Sequence, residues 1–509
     1  MINSNKQIKY GGIISYLTMG FTIVSGLLYT PWMISKIGQA DFGLFTLVTS
    51  LITLVTLDLG LSQSVTRFIS KYRAENDITS IKRFLGIIYK LFILLAFIFL
   101  ISLTVVYFNI ESIYQKLTLN EIEKLKGIFI IAGLYSIFSF PFHPIDGILV
   151  SGEWFIFQKT TVLLNKILSV TFIIIALIMG YGLYALVVVN ALSGVIVIIL
   201  KLRFLKKKDP LPIDWKYFNK NTTKEIFAFS LWVLVISISQ RLILNITPSI
   251  LGITSGSKEI AIFSAANSIE GYVWSLSTVF SGMFLPKVSK MIYRDNVEPV
   301  AIEELMIKVG RIIFFVLAAI VSIFIVVGRE FFLSWLGSDF ERSYLITVFL
   351  ILPGLFTTPQ QIASTTLIVK NKIKFNAISK IIIATISIGL SYFLSLKYGA
   401  LGSGIAIFAG NIIGGVIVLN IIYSKVLNIR IFRFFRKCQL SMSLPFLLVI
   451  LSGIQLNYLI TDVSWTNLFL KIGVLMILYL LSSYIFSINK EEKKFFMNSL
   501  KSLIFWRNK

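Results

Sequence analysis

Two charged side chains, Arg241 and Glu270, lie deep within apolar segments of this 509-residue chain. They lie about fifteen and about eleven residues into their predicted helices, which at about 1.5 Å per residue places both in the middle third of a bilayer. A charge that faces lipid there costs roughly 2.5–3.5 kcal/mol. The two residues could therefore form a structural ion pair. Alternatively, Arg241 could hold an anionic group in a cavity, with Glu270 as its partner or as a proton acceptor.

Polar side chains recur at helical spacing around these charges, which indicates helix faces that avoid lipid. One stripe in the first predicted helix is also explained by close helix packing, because small polar residues let helices approach. The stripes are Ser15, Thr18, Thr22, Ser25 and Tyr29, then Ser237, Arg241 and Asn245, then Asn267, Glu270, Trp274, Ser277 and Ser281. The candidate cavity residues, besides the two charges, are Ser237, Asn245, Asn267, Thr22 and Ser25.

A second group of ionisable residues could couple ion movement or gate a path. His143 and Asp146 could pass protons near neutral pH, or His143 could simply be a hydrogen-bonded residue at a helix kink. Asp58 and Arg67 flank the inner end of the second predicted helix, where a local charge pair is an ordinary feature. Since His143 is the only histidine and Cys438 the only cysteine, we predict neither a metal site nor a cofactor.

The elements that position these residues are predicted to be membrane helices. The chain is 56% hydrophobic and 14% charged, with a mean hydropathy of +0.85, whereas soluble domains carry roughly 25% charged residues. A bilayer core needs about 20 apolar residues per helix. About fourteen such segments are predicted on that basis, near 11–33, 42–63, 84–107, 127–151, 161–181, 183–203, 226–250, 259–286, 309–328, 343–367, 376–396, 400–424, 439–459 and 467–488.

The basic residues that give the chain its net charge of +24 cluster in the loops on one predicted side. With the N-terminus inside, about 35 lysines and arginines lie in inner segments and about 8 in outer loops, which predicts that both termini are cytoplasmic. The first helix is expected to be retained rather than removed as a signal peptide. Lys471 is expected to extend to the outer headgroups. No soluble domain carries a basic face, so we predict no nucleic-acid partner.

The chain also repeats itself with an offset of about 217 residues. Thr30 and Pro31 match Thr247 and Pro248, and the motif of Gly38 and Asp41 recurs as Gly256 and Glu259. Six helices per copy give two parallel repeats that can enclose a path opening to alternate sides. The expected parts are an N-terminal lobe at 1–208, a cytoplasmic linker at 209–225, a C-terminal lobe at 226–424, two added helices at 425–488, and an amphipathic cytoplasmic tail at 489–509.

The stretch SKIGQADFGLFTLVTSLITLVTLDLGLSQSVTRFISKYRA, from Ser35 to Ala74, resembles the opening signature of a known family. It looks like that of Wzx-type polysaccharide repeat-unit flippases of the multidrug/oligosaccharidyl-lipid/polysaccharide (MOP) exporter superfamily. The likeness is carried by Gly38, Gly43, Asp58, Gly60 and Arg67, and later by GREFFLSWLGSDFERS from Gly328 to Ser343. Helix count and repeat length extend it to essentially the whole chain.

This resemblance implies two six-helix lobes around a cavity in a bacterial plasma membrane protein, with alternating access. The implied cargo is an undecaprenyl-diphosphate-linked oligosaccharide, moved to the outer leaflet for O-antigen, capsule or related glycans. Its diphosphate needs a cation, for which Arg241 is best placed, and ion coupling would give Glu270 or Asp146 a role. Membrane lipids and the polysaccharide polymerase machinery are the other implied partners.

Two other transporters and one enzyme class compete with this interpretation. A lipid II flippase of the same superfamily would carry charges in its first helix, and none occurs here between Gly11 and Met33. An ion-coupled multidrug extruder would need acidic residues in the N-terminal lobe. A polymerase would need catalytic outer loops, but the longest one, about 108–126, has neither histidine nor arginine. We therefore predict a transporter rather than an enzyme.

Overall fold

The structure of the chain is a computed structural model that describes most of its residues. The described ranges are 4–56, 61–217, 219, 235–243, 245–281, 284–293, 298–489 and 492–493. Throughout these ranges the regular structure is helical, without a β-strand. The contacts divide the chain into two compact units: Met1–Ser264 with Ala384–Ala406, and Ala265–Ile383 with Ile407–Lys509.

The first unit is built mainly from the helices of the first half of the chain. They are α1 Ser4–Ile37, α2 Gln39–Val55, α3 Leu61–Ala74, α4 Ile78–Ile113, α5 Leu119–Ser139, α6 Pro144–Ser151, α7 Phe155–Ile178, α8 Leu183–Lys208, α9 Val235–Ile243 and α10 Thr247–Thr254. Inside it α1 packs on α7, and α3 packs between α4 and α6. Buried aromatic side chains at Phe84, Phe92 and Phe140 fill the core beside α3.

The second unit is organised around one long helix, α13. Its helices are α12 Leu285–Tyr293, α13 Pro299–Leu336, α14 Ser343–Ile351, α15 Gly354–Thr357, α16 Gln361–Val369, α19 Leu419–Leu427, α20 Ile431–Lys437, α21 Ser443–Leu459 and α22 Trp465–Phe486. Three further helices have residues in both units: α11 Ser257–Ser281, α17 Lys374–Tyr398 and α18 Ala400–Gly410. The middle of α13 is largely buried because α14, α16, α21 and α22 pack around it.

The lengths and compositions of these helices confirm the predicted class of all-α polytopic membrane protein. Eleven helices in the described part of the chain are long and apolar enough to cross a bilayer, and the bent pair α9–α10 brings the number to twelve. Of the remaining predicted spans, α2 has only 17 residues and α11 is less apolar. The count of fourteen therefore remains a prediction. Part of the seventh segment and most of the expected cytoplasmic tail lie outside the described residues.

Prolines interrupt two of the spans. The fourth predicted span is broken between α5 and α6 by a 3₁₀ turn, Phe140–Phe142, beside Pro141 and Pro144. A second span is broken between α14 and α16 at Pro353 and Pro359. Proline lacks an amide hydrogen and clashes with the preceding turn, so each break follows directly from the sequence.

The two glycines matched in the internal repeat have the same backbone conformation. Gly38 precedes α2 with φ 88°, and Gly256 precedes α11 with φ 92°. Side-chain-bearing residues rarely adopt this region, which explains why both copies have glycine there. The repeat seen in the sequence thus corresponds to a repeated turn between helices in the structure.

Candidate functional site

Arg241 lies on α9 with its guanidinium at the C-terminal end of α2. Its Nη1 donates to the carbonyl oxygen of Thr53 and, at 3.1 Å, to that of Thr56. Carbonyls in the last turn of a helix have no intrahelical partner and carry partial negative charge, so they stabilise a cation. Nε and Nη2 make no hydrogen bond within the described part of the chain. This half-buried arginine can therefore donate to a further anionic group, such as a phosphate oxygen.

The other stripe residues near Arg241 provide neutral hydrogen-bonding groups. Asn245 donates its side-chain amide to the Arg241 carbonyl at 3.4 Å, and Ser237 is half-buried one turn before Arg241. Asn267 is half-buried on α11, in the second unit together with Glu270. An Arg241–Glu270 pair remains a prediction, since the two residues belong to different units. The side chains of Ser277 and Ser281 lie outside the described part of the structure.

The serine and threonine hydroxyls of the first stripe bond to their own helix, whereas the buried Tyr29 hydroxyl has no hydrogen-bond partner in the described part of the chain. Thr22 donates to the Thr18 carbonyl at 2.8 Å, and Ser25 donates to the Thr22 carbonyl at 3.4 Å. Such bonds satisfy the hydroxyl hydrogen locally. In the same helix, a Cβ added at Gly11 would lie 2.9 Å from the Phe155 Cβ, so α1 and α7 approach closely there. This arrangement supports helix packing, while the role of Thr22 and Ser25 in binding cargo stays a prediction.

Glu270 lines a narrow cleft of about 70 Å³ in the second unit. Such a volume has room for a few waters at roughly 10–15 Å³ each. Thr357, Thr358 and Asn411 also line it, beside apolar walls that include Trp274. The Glu270 carboxylate makes neither an ion pair nor a hydrogen bond with the described residues. Its oxygens are therefore available to a proton or a small cation.

A π-helix, Asn411–Val418, begins at this cleft. Asn411 donates its amide to the Ile407 carbonyl at 3.0 Å, which leaves its side-chain oxygen as an acceptor towards a cation. The Thr357 hydroxyl donates to the Pro353 carbonyl at 3.1 Å. π-helical turns are rare and are frequently found at functional sites. Oxygen atoms of a carboxylate, an amide and a hydroxyl are ligands suited to a hard cation.

Asp146 has a partner that the sequence did not reveal. Its carboxylate accepts from Lys201 of α8 at 2.8 and 2.9 Å, and from Gln158 at 3.4 Å. His143 lies against the rings of Phe92 and Phe140, with centroid distances of 6.5 and 4.9 Å. An ion pair between α6 and α8 is an ordinary packing device, and it favours the structural interpretation of Asp146. Its ion-coupling role remains a prediction.

The remaining candidate pair is only half described. Asp58 lies outside the described residues. Arg67 is exposed on α3, with its guanidinium carbon 5.8 Å from the ring centroid of Phe68. Leu61, Val65, Phe68 and Ile69 are buried along α3, so α3 is an amphipathic helix in a region that we expected to be mainly an inner loop.

The expected position of Lys471 was wrong. Its side chain is fully buried, with Nζ 2.5 Å from Glu330 Oε1 and 2.9 Å from Asn457 Oδ1. These residues belong to α22, α13 and α21, so the charge is neutralised between three helices instead of reaching the headgroups. A buried lysine without such partners would be strongly unfavourable. The acidic partner could have been suspected, since Glu330 is the only acidic residue within the apolar last third of α13.

A second buried charge network lies near the other end of α13. Arg311 binds Glu492 through two bonds of 2.5 and 2.9 Å. Arg311 also donates to the carbonyls of Lys437 and Ser487 at 2.7 and 2.6 Å. Burial alone would raise the pKa of Glu492, but the hydrogen bonds and charge of Arg311 lower it below its ordinary value. The network joins α13 to the ends of α20 and α22.

Comparison with known proteins identifies the family of this chain and the fold that it shares with solved structures. A family model described as "Polysaccharide biosynthesis protein" matches residues 11–292. A solved lipid II flippase, MurJ, in an inward closed conformation has a TM-score of 0.70 at 16% identity, over 93% of this chain and 98% of that one. An inward-facing multidrug resistance MATE transporter of the MOP superfamily has a TM-score of 0.62 at 16% identity, over 80% and 96%.

A third solved structure, a MOP superfamily transporter from Pyrococcus furiosus, has a TM-score of 0.54 at 16% identity, over 82% of this chain and 94% of that one. Comparison with curated proteins gives no match. At these identities the solved structures establish the fold alone. They confirm the predicted fold class, that of the MOP exporters.

Proposed function

Because the chain belongs to the polysaccharide biosynthesis protein family, we propose that it flips an undecaprenyl-diphosphate-linked oligosaccharide repeat unit. The movement runs from the cytoplasmic to the outer leaflet of the bacterial plasma membrane, by alternating access, for O-antigen, capsule or a related glycan. Such a cargo has a sugar head that needs hydrogen bonds, a diphosphate that needs a cation, and a lipid tail that remains in the bilayer. The proposal therefore predicts a cation beside neutral polar groups at mid-membrane depth.

The observation that carries this proposal is the hydrogen bonding of the Arg241 guanidinium. One guanidinium nitrogen is bound to the carbonyls of Thr53 and Thr56 at the end of α2, which fixes the side chain, and the other two nitrogens have no hydrogen bond to the residues that the structure describes. An arginine held in this way can donate two parallel hydrogen bonds to phosphate oxygens. Ser237 and Asn245 on the same helix face would bind the sugar hydroxyls. In the low-dielectric membrane interior, these interactions replace the water that the diphosphate loses.

We assign ion coupling to Glu270. Its carboxylate, the side-chain oxygen of Asn411 and the hydroxyl of Thr357 share a water-sized cleft. Occupation of this cleft by a proton or a small cation would neutralise the carboxylate and change which packing of α11 is favoured. A ligand can shift a conformational equilibrium only through such a difference in affinity between states. We also propose that the chain forms two six-helix lobes, that both termini are cytoplasmic, and that the protein associates with the polymerase machinery.

The test is a strain that lacks the chromosomal copy and carries plasmid variants at matched protein levels. Arg241→Ala removes the charge-assisted bonds to phosphate, worth about 1.5–3 kcal/mol, and is expected to lower flipping roughly 10- to 100-fold. Arg241→Lys keeps the charge without the planar fork and is expected to retain intermediate activity. The readout is the amount of lipid-linked repeat unit that accumulates on the cytoplasmic side. The control is Arg329→Ala, which removes an exposed arginine.

Glu270→Gln separates coupling from cargo binding. It is expected to abolish the dependence of flipping on the ion gradient while leaving cargo binding intact, with Glu123→Gln, an exposed acidic position, as control. Normal flipping by Arg241→Ala at normal protein level would refute the cargo role of this residue. Rescue of lipid II transport, or of drug resistance, in place of repeat-unit export would favour the two alternative transporters.

A further inference from the structure

An apolar cleft of about 500 Å³ opens beside the short basic helix α20. Its walls come from α13, α15, α20 and α21, and they contain five phenylalanines: Phe314, Phe356, Phe432, Phe435 and Phe446. The volume falls in the range of roughly 300–1,000 Å³ that is typical of small-molecule sites. In a membrane protein, an apolar cleft of this size suits a hydrocarbon chain.

The charges of α20 are unequally neutralised. Glu303, almost fully buried, accepts from Arg430 at 3.2 Å and from Arg433 at 2.8 Å. Arg436 is different: it lines the cleft, is exposed, and has neither an ion pair nor a hydrogen bond within the described part of the chain. The helix therefore presents one uncompensated cation at the cleft.

A neighbouring polar group has no partner either. Gln439 lines the cleft and is 7% exposed, and both its amide oxygen and its amide nitrogen are buried without a hydrogen-bond partner in the described part of the chain. Buried amides are normally hydrogen-bonded. Since neither atom is accessible in this conformation, a bound molecule would meet this amide only after the side chain turns into the cleft.

The flanking side chains indicate a lipid environment. Phe432 and Leu440, which also line the cleft, are 82% and 68% exposed. Exposed large apolar residues next to exposed arginines are typical of the membrane interface, where the apolar parts contact chains and the cations contact headgroups. The cleft thus has an apolar interior and a cationic rim.

We propose that this cleft binds an anionic glycerophospholipid, with one acyl chain between the phenylalanines and the phosphate at Arg436. The site would fasten α20 and α21 to α13 through a bound lipid. It shares no residue with the cargo site proposed around Arg241, and it does not depend on the identity of the cargo.

The experiment measures lipid binding to the purified full-length chain in detergent by native mass spectrometry and by thermal unfolding. Phosphatidylglycerol is expected to bind more tightly than phosphatidylcholine and to raise the unfolding temperature more. Arg436→Ala should weaken phosphatidylglycerol binding about fivefold, as expected for one basic residue near a membrane surface. Lys425→Ala, which removes an exposed basic residue of α19, is the matched control and should leave binding unchanged. Leu447→Trp narrows the cleft and should weaken both lipids.

Equal losses in Arg436→Ala and Lys425→Ala would overturn the proposal, since they would show general charge attraction. Equal binding of both lipids by the unmodified chain would also overturn it, and this measurement needs no variant to fold. Displacement of phosphatidylglycerol by equimolar undecaprenyl phosphate would identify a polyprenyl lipid as the occupant and would refute the assignment to a glycerophospholipid. Loss of flipping with normal lipid binding would concern the proposed function alone.

Discussion

The buried ion pair of Lys471 and Glu330 can be tested sharply, because Arg329, the residue before Glu330, forms an exposed ion pair that serves as a control. Glu330→Gln leaves the lysine, which has no solvent access, with only neutral partners. Breaking a buried pair by removing one member typically costs 3–5 kcal/mol, because the remaining charge is uncompensated. Arg329 pairs with Glu341 at 2.6 Å, but the two side chains are 64% and 41% exposed. Arg329→Ala should therefore cost no more than about 1 kcal/mol.

The expected difference is large enough to measure as a melting temperature. For a unit of this size, each kcal/mol shifts the unfolding temperature by roughly 2–4 °C. Glu330→Gln is thus expected to lower it by on the order of 10 °C, and Arg329→Ala by no more than about 4 °C. The only cysteine, Cys438, is fully buried. A thiol-reactive dye therefore reports the unfolding of the unmodified chain without added labels.

A double variant isolates the cause. Replacing both partners by apolar residues, Lys471→Met with Glu330→Leu, removes the uncompensated charge and should recover most of the stability, as buried pairs often tolerate apolar replacement. If Glu330→Gln is no more destabilising than Arg329→Ala, the lysine reaches solvent and the argument from burial fails. If the double variant is as unstable as the single one, packing is responsible and the charge is not.

Two further predictions use other features of the structure. Glu492→Gln should destabilise the chain at pH 7: since the folded pKa of Glu492 is lowered, its contribution is present above its ordinary pKa of about 4.3. It is lost as the pH falls through the lowered value, so the unfolding temperatures of variant and unmodified chain should converge in acid; a constant difference would contradict this. Gly43→Ala should destabilise the contact between α2 and α11, because an added Cβ would overlap the carbonyl of Ser257. Gly20→Ala, with open space around its Cβ position, should be neutral, and equal unfolding temperatures for the two variants would refute the overlap.

The sequence predicted the helices best where apolar runs were long and unbroken. It predicted them less well near α2 and α3, because amphipathic α3 continues in helical form where charged residues suggested a loop. The partners of the charged residues were predicted less well than the helices. The energetic cost of a mid-membrane charge singled out Arg241 as a candidate, and its partners are backbone carbonyls, which no residue pattern reveals. The partners of Lys471 and Asp146 were not foreseen, because Glu330 and Lys201 lie on helices that only the tertiary structure brings near.

The two copies of the internal repeat share a glycine turn but differ in the contacts of the residues that follow it. Both copies keep the glycine of positive φ, yet the acidic residues that follow bind different donors: Asp41 binds Lys124 at 2.9 Å, and Glu259 accepts from the backbone nitrogen of Ala400 at 2.7 Å. At the offset that relates Pro31 to Pro248, Arg241 corresponds to Val24, and at the offset that relates Asp41 to Glu259, one residue longer, Glu270 corresponds to Ile52.

Both charges that the sequence predicts at mid-membrane depth therefore belong to the second copy alone. A scaffold of two similar halves can alternate between two packings. An anionic cargo that passes once per cycle needs a cation in only one of the two halves. The proposed function therefore depends on Arg241 and Glu270, which have no charged counterpart in the first copy.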